Sequence, residues 1–363
     1  MTPTTDALLA QLSSDAYSAT PVTLPAGFTA LDTSNFGIAL QAGESLSNGI
    51  YTSGNGAALV TVGFIEDLPT IVIAFRGSDD TQDSLQDLNG INAAYPAFTS
   101  LVAAVDQASA AWGIPVVVTG HSLGGSMAQL YMASHPNVAG EPGHAAVTFG
   151  SAGAILPAGT DDRITNYVIA DDPAVVLGAH RAEIGDFLRN NTVLVDPAAE
   201  RIAAELPGIT AAQARESLPN LTVNYDNHGN IVLLPTADGK LDYAGAIAGV
   251  AALNADRHDV SNYVTEVQAA WSGTGPGYRV VPDATTGDQQ LDFLHALYDG
   301  DNRTPGAEQA VVNDLLGRFG EDLRDDLQQT GQDIADTLQP PANDAFTTVR
   351  DGLTGIGQDL NLI

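Results

Sequence analysis

The sequence contains no cysteine and a single lysine, Lys240. The absence of cysteine excludes disulfides, a thiolate nucleophile and cysteine-ligated metals. Thirteen Lys and Arg residues stand against 44 Asp and Glu, which gives a formal net charge of −31. Binding to nucleic acid requires clustered cationic side chains, so no nucleic-acid partner is expected for this chain.

Long apolar runs are also missing. No run approaches the length of about 18 residues that a transmembrane helix needs, so no stable membrane insertion is expected. The N-terminal stretch MTPTTDALLAQL lacks the basic segment and long apolar core of a Sec-type signal. The missing N-terminal signal, the missing cysteine, the excess of Asp and the final residues GQDLNLI resemble bacterial proteins that are exported by a C-terminal signal. We therefore predict a bacterial extracellular protein without an N-terminal signal, and a cytoplasmic location is the alternative. The oligomeric state stays open.

Metal-binding patterns are weak. No HExxH is present, and the run DGDNRTPGAEQA begins like a calcium loop at Asp299. It places Arg303 and Ala310 at the fifth and twelfth positions, where oxygen ligands are needed. We expect no cofactor and no metal, and a weak structural calcium ion remains an alternative.

Helix and strand patterns alternate up to about residue 272, which predicts an α/β fold. Short apolar runs separated by helical patterns favour a mostly parallel central sheet flanked by helices. The stretch LTVNYDNHGNIVLLP, residues 221–235, contains two strand-like runs around a turn and predicts a hairpin. The runs predicted as core strands are AALVTVGF (57–64), TIVIAF (70–75), PVVVT (115–119), HAAVTFG (144–150) and TNYVIA (165–170).

A stretch rich in Gly, Pro and Thr, residues 272–288, predicts a domain boundary. We predict a catalytic domain over 1–272, with a possible cap insertion over 176–219. Residues 273–363 are predicted to be an acidic, mainly helical extension with an amphipathic packing stripe. The stripe residues follow one another at four-residue steps: Val311, Leu315, Phe319, Leu323 and Leu327.

The pattern Gly-x-Ser-x-Gly occurs in VVVTGHSLGGSMAQL, where Ser122 lies between Gly120 and Gly124. A strand pattern precedes it, and a helical pattern starting near Ser126 follows it. This strand–turn–helix context is the one that a nucleophile elbow requires. Ser122 is therefore the predicted nucleophile, and the amide of Leu123 is placed to face a developing oxyanion. A glycine-rich strand-to-helix turn without catalytic function is the alternative.

Together with TIVIAFRGSDD (70–80), this elbow resembles the class 3 (fungal-type) lipases of the α/β-hydrolase superfamily. The two motifs occur in the order and at about the spacing of that family. The resemblance implies an α/β-hydrolase fold and makes Ser78 the second oxyanion donor. The segment at the family's lid position, residues 79–96, is short and implies an open site.

The order of catalytic residues in α/β-hydrolases is Ser, then an acid, then His. Asp171 and Asp172 both follow a buried strand, and Asp172 before Pro173 resembles the family pattern more closely. His258, which opens HDVSNYVTEVQAAW, resembles the catalytic histidine. His228 and His295 remain alternatives for the base.

We accordingly predict a serine-dependent carboxylic ester hydrolase with Ser122, Asp172 and His258 as catalytic residues. The resemblance implies acyl-glycerols or other lipidic esters as substrates. A phospholipid or a polyester is the next alternative, and acyl transfer follows if an alcohol replaces water. A non-catalytic secreted binding protein on a hydrolase scaffold is the alternative of a different class.

Overall fold

The structure is a computed structural model, which describes most of the first 273 residues and part of the C-terminal region. The described residues are 3–18, 23–79, 89–205, 208–241, 243–252, 254–273, 279–281, 313, 314, 316–318, 320–325, 328 and 329.

Within these ranges, ten strands form one sheet with the order β10-β9-β8-β7-β6-β5-β4-β3-β2, and β1 pairs with β4. The strands are β1 (Thr29–Ala30), β2 (Glu44–Ser47), β3 (Ile50–Ser53), β4 (Gly56–Ile65), β5 (Leu68–Phe75), β6 (Val116–His121), β7 (His144–Phe149), β8 (Ile164–Ile169), β9 (Asn230–Leu234) and β10 (Arg279–Val281).

The strands β5 to β9 run parallel to one another and form the centre of the sheet. Antiparallel strands extend it on both sides. Because β5, β6 and β8 run in the same direction, the segments that follow them come together at one edge of the sheet. The predicted α/β fold with a parallel centre is confirmed.

The helices of the described region cover both faces of this sheet. They are α1 (Pro3–Asp15), α2 (Thr33–Phe36), α3 (Thr99–Trp112), α4 (Leu123–Ser134), α5 (Pro173–Ala179), α6 (Arg181–Asn190), α7 (Val195–Glu205), α8 (Ala211–Ser217), α9 (Tyr243–Ala251) and α10 (Val260–Ser272). The observed start of α4 is three residues before the predicted one at Ser126. None of the described helices is long and apolar enough to cross a membrane.

Two apolar layers hold the helices on the sheet. Alternate residues of β5 point to opposite faces, as the pleat of a strand dictates. Ile71 and Ile73 pack in the layer that contains Leu101 of α3. Val72 packs in the opposite layer with Leu12 of α1. The nearly continuous apolar runs of the central strands therefore reflect burial on both faces.

The hairpin predicted over 221–235 is wrong. The second run forms β9, which pairs in parallel with β8, and the first run contributes a single bridge between Asp226 and Ala154. Tyr225 is buried, its amide donates to the Gly178 carbonyl over 3.0 Å, and its hydroxyl accepts from the Ile91 amide over 3.1 Å. The apolar residues Leu221 and Tyr225 are thus buried in the core from a segment that is not a strand.

The segment between β8 and β9 is helical and has an apolar cluster of its own, which includes Ile184, Leu188 and Leu218. The described positions within 313–329 are helical, and Leu323 is fully buried in this cluster. The other four residues of the predicted stripe lie outside the described residues. β10 follows the predicted boundary at 272 and still pairs with β9. The division into domains and the cap remain predictions.

Candidate active site

Ser122 lies in the turn between β6 and α4 and has φ 58° and ψ −127°. A non-glycine residue with positive φ is uncommon, and such strain persists only where the surroundings impose it. Here the Ser122 amide donates to the Phe149 carbonyl over 3.0 Å, and the Ser122 carbonyl accepts from the Ser126 amide over 3.2 Å. The strained serine is thereby fixed at the carboxyl edge of the parallel strands.

Neighbouring backbone atoms leave no room for a side chain at either glycine of the motif. A Cβ on Gly120 would come within 2.3 Å of the Gly124 carbonyl carbon, and a Cβ on Gly124 within 2.1 Å of the Phe75 oxygen. In both cases the obstacle is backbone, which cannot rotate away. Neither position can therefore carry a side chain without a shift of the backbone.

Replacement of Gly124 by alanine is expected to push α4 away from the end of β5. We expect the free energy of unfolding to fall by about 2–3 kcal/mol, as overpacking typically does, and ester hydrolysis to fall at least tenfold. Gly143→Ala is the matched control, since its Cβ would meet nothing closer than 4.0 Å. Urea denaturation of both variants measures the difference. Equal stabilities would show that the turn does not need the glycine.

Three sequence-predicted residues meet at this edge of the sheet. The His258 Nε2 atom lies 2.7 Å from Ser122 Oγ, and His258 Nδ1 lies 2.8 Å from Asp172 Oδ2. His258 is the last residue of a 3₁₀ turn, Ala255–His258, which precedes α10. The three side chains form one continuous line of hydrogen bonds.

Asp172 is fully buried at the N-terminus of α5, where its Oδ1 accepts from the Ala174 amide over 2.8 Å. The Tyr263 hydroxyl donates to Oδ2 of the same carboxylate. Burial alone would raise the pKa of Asp172. The adjacent His258 and the hydrogen bonds from His258, Tyr263 and Ala174 outweigh it and lower that pKa. The carboxylate is therefore charged at neutral pH.

Asp171, the alternative acid, makes different contacts. Its Oδ1 accepts from Arg257 Nε over 2.9 Å, and its Oδ2 accepts from the Ala237 amide over 2.9 Å. Two neighbouring acids thus pair with two neighbouring bases, and it is Asp172 that contacts His258. The ion pair between Asp171 and Arg257 thus links the residue before Asp172 to the residue before His258.

Of the two alternative histidines, the structure describes only His228, and it is not at this edge. His228 precedes β9, so it lies at the amino edge of the parallel strands, and its carbonyl accepts from Asn166 Nδ2 over 2.8 Å. His295 falls outside the described residues. So do 80–88 in the predicted lid segment and the run 299–310, which begins like a calcium loop. Among the described residues, no group of three or more His, Asp or Glu side chains is placed to hold a metal.

The predicted oxyanion donors flank Ser122. Leu123 is the first residue of α4, so its amide is one of those without a partner inside the helix. Ser78 follows Gly77, where an added Cβ would lie 2.5 Å from the His121 carbonyl oxygen and 3.1 Å from Ser122 Cβ. The loop after β5 is thus packed directly against the turn.

Arg76 holds this loop in place. Its Nη2 donates to the Asn55 carbonyl over 2.6 Å, and its Nη1 pairs with Asp79 over 2.7 Å. A cavity of about 290 Å³ lies beside it. Six of the twelve residues that line the cavity are apolar, and this part of the lining is called the apolar wall. The apolar wall is formed by Ala93, Ala94, Ala97, Phe98, Leu123 and Met127.

Sequence reasoning missed three residues around the site, namely Tyr17, Arg257 and Tyr263. Only Tyr263 had a local signal, because it is the aromatic residue five positions after His258. The hydrogen bond from Arg257 to Asp171 spans 86 residues, and that from Tyr17 to His121 spans 104. No local pattern indicates pairs at such separations.

Comparison with known families gives a match over the first part of the chain. Residues 8–223 match the family of Tle-like phospholipase domains, which is described as phospholipase-like. The matched region covers more than half of the chain and includes Ser78, Ser122 and Asp172, and it ends before His258. No curated protein matches the sequence.

Proposed function

Since the chain belongs to the family of Tle-like phospholipase domains, a lipase- and phospholipase-type family, we propose that it is a serine hydrolase that cleaves the acyl esters of phospholipids. The observation that carries this proposal is the hydrogen-bonded line from Ser122 through His258 to Asp172. The family match favours phospholipid over the acyl-glycerol expected from the sequence. The narrower resemblance to class 3 lipases remains a prediction.

The contacts of His258 support its proposed role as the base. Because the buried carboxylate of Asp172 can only accept, His258 Nδ1 carries the proton and Nε2 has a free electron pair facing Ser122 Oγ. When Oγ attacks the ester carbonyl carbon, its proton passes to Nε2. Asp172 stabilises the imidazolium that results.

The carbonyl oxygen of the substrate becomes an oxyanion in this step, and the amides of Ser78 and Leu123 are the proposed donors to it. When the tetrahedral intermediate collapses, His258 Nε2 returns the proton to the leaving alcohol oxygen and the acyl group stays on Ser122. Water then attacks the acyl carbon and gives a proton to His258 Nε2, and His258 returns this proton to Ser122 Oγ as the bond between Oγ and the acyl carbon breaks. Free fatty acid and the starting enzyme result.

The cavity beside the elbow is the proposed site for the acyl chain. Leu123 and Met127 belong to its apolar wall and also to α4, the helix that starts directly after Ser122. Burying apolar surface there contributes about 25 cal/mol for each Å² removed from water. Binding of the chain in this cavity would hold the ester carbonyl next to Ser122.

A fluorophosphonate probe and a substrate panel test the proposal. We expect the probe to label one serine, and peptide mapping to place the label on Ser122. We expect fatty acid release from phosphatidylcholine vesicles to exceed release from triacylglycerol emulsions. The p-nitrophenyl esters from acetate to palmitate report the chain-length preference in parallel.

Each other outcome contradicts a defined part of the proposal. A label on another serine would refute the nucleophile. Turnover of triacylglycerol without turnover of phospholipid would refute the substrate class and leave a lipase. Absence of turnover on every ester would favour the non-catalytic binding protein.

A further inference from the structure

His121, directly before Ser122, is buried and has hydrogen-bond partners on both ring nitrogens. Its Nε2 lies 2.6 Å from the backbone carbonyl oxygen of His258. Its Nδ1 lies 2.8 Å from the Tyr17 hydroxyl. The ring also packs against that of His258, with 4.6 Å between their centroids. His121 thus joins the end of α1 to the turn that carries His258.

The partners fix the direction of both hydrogen bonds. A carbonyl oxygen only accepts, so His121 Nε2 must carry a proton. Burial, together with the neighbouring His258, lowers the pKa of His121 to about 3. The ring is therefore neutral, its Nδ1 accepts, and Tyr17 donates. A neutral ring at this position also avoids a second positive charge beside the imidazolium that forms on His258 during turnover.

The Tyr17 hydroxyl touches a third part of the site. A Cβ on Gly77 would lie 2.0 Å from Tyr17 Oη, so the hydroxyl occupies the space beside the loop that carries Ser78. One hydroxyl group is therefore in contact with the loop after β5 and, through His121, linked to the backbone of His258. Its hydrogen bond to His121 spans 104 residues of sequence.

We propose that Tyr17 and His121 form a positioning relay that fixes the backbone of His258, and so the distance from its Nε2 to Ser122 Oγ. This inference rests on the proposed function. Neither residue touches the reacting atoms, so both are positioning residues. His258 lies in a short 3₁₀ turn, and the hydrogen bond from His121 to its carbonyl restrains that turn. Without this restraint, a small displacement of the turn would lengthen the distance from His258 Nε2 to Ser122 Oγ. Misplacement of reacting groups by about 1 Å can cost a hundredfold in rate.

Tyr17→Phe removes the hydroxyl donor and keeps the ring. We expect kcat to fall about tenfold, with KM within about twofold of wild type, because the substrate contacts are unchanged. The control is Tyr131→Phe, which removes a chemically matched contact, 3.1 Å from the Tyr131 hydroxyl to His144 Nδ1. His144 begins β7, at the opposite edge of the sheet. The control should keep wild-type kcat.

Two substitutions of His121 test the contact with the His258 carbonyl. Gln can place an N–H donor near the position of imidazole Nε2, whereas Asn reaches only about as far as Nδ1. We expect His121→Gln to lose about tenfold in kcat, as Tyr17→Phe does, because glutamine does not offer the ring nitrogen that accepts from Tyr17. We expect His121→Asn, which also loses the donor to the carbonyl, to lose about a hundredfold. Rescue by Gln would identify the donor to the carbonyl as the function of His121.

Fluorophosphonate labelling of the full chain separates positioning from folding. If the role is positioning, every Tyr17→Phe molecule should eventually be labelled at Ser122, but the labelling reaction should be slower than in wild type. Incomplete labelling with an unchanged rate for each labelled site would overturn the relay. Equal losses of kcat in Tyr17→Phe and Tyr131→Phe would also overturn it, and so would equal kcat values in His121→Gln and His121→Asn. Failure of the proposed function would be distinct, because wild-type Ser122 would then not be labelled.

Discussion

Ser122→Ala is expected to lower kcat/KM for ester hydrolysis by at least about 10⁴-fold while leaving substrate binding nearly unchanged. The hydroxyl is the proposed nucleophile, and without it His258 has no proton to accept and no acyl-enzyme forms. Removal of a serine nucleophile costs between about 10⁴ and 10⁶ in comparable hydrolases, and the residual rate comes from the oxyanion donors. Initial rates on a p-nitrophenyl ester and on phosphatidylcholine vesicles measure the loss.

The matched control is Ser126→Ala. Ser126 lies one turn further along α4, is fully buried, and its hydroxyl has no hydrogen-bond partner among the described residues. Loss of this hydroxyl should change the rate by less than about twofold, because no buried partner is left unsatisfied. Equal losses in the two variants would point to damage of the helix. Full activity of Ser122→Ala would contradict the nucleophile.

The sequence predicts those parts of the fold whose signal is local. The central strands are apolar runs because both of their faces are buried. The turn at Ser122 is recognisable because Gly120 and Gly124 have to be glycine, where a Cβ would collide with backbone. Asp172 before Pro173 is a helix start that can be recognised from a few consecutive residues, because proline is favourable at the first helical position.

The parts that the sequence did not reveal depend on contacts between distant segments. The run 221–226 has the alternation of a strand, yet Tyr225 packs against the Ile91 amide, 134 residues away. His121 adjoins Ser122, and nothing nearby in the sequence indicates its contact with the His258 carbonyl 137 residues later. With 44 Asp and Glu residues in the chain, the number of carboxylates does not identify Asp172, and only its position before Pro173 does.

Asp172→Asn should mainly lower activity, whereas Asp171→Asn should mainly lower stability. In Asp172→Asn the amide can donate to His258 Nδ1, which favours the tautomer with a proton on Nε2. That nitrogen can then no longer accept the Ser122 proton. The expected loss in kcat is about 10⁴-fold, the effect of the same change in a serine protease. Asp171 contacts Arg257 instead, so Asp171→Asn should keep kcat within about tenfold.

For the free energy of unfolding, Asp171→Asn should have the larger effect of the two variants. The Asp171 and Arg257 side chains are 7% and 11% exposed, and removal of one partner leaves a buried guanidinium with a neutral amide. The free energy of unfolding should fall by about 3 kcal/mol, as it does when a buried ion pair loses one member. Urea denaturation at neutral pH measures this loss, which should exceed that of Asp172→Asn.

The pH dependence provides a second criterion for Asp172. Its folded-state pKa is lowered from 3.8, so its charge stabilises the fold above the unfolded pKa, and this contribution disappears as the pH falls through the folded value. The stability difference between wild type and Asp172→Asn should therefore be largest near neutral pH and shrink below about pH 4. If Asp171→Asn instead lost the activity and Asp172→Asn kept it, Asp171 would be the acid that orients His258. The contact of Asp172 with His258 would then be structural.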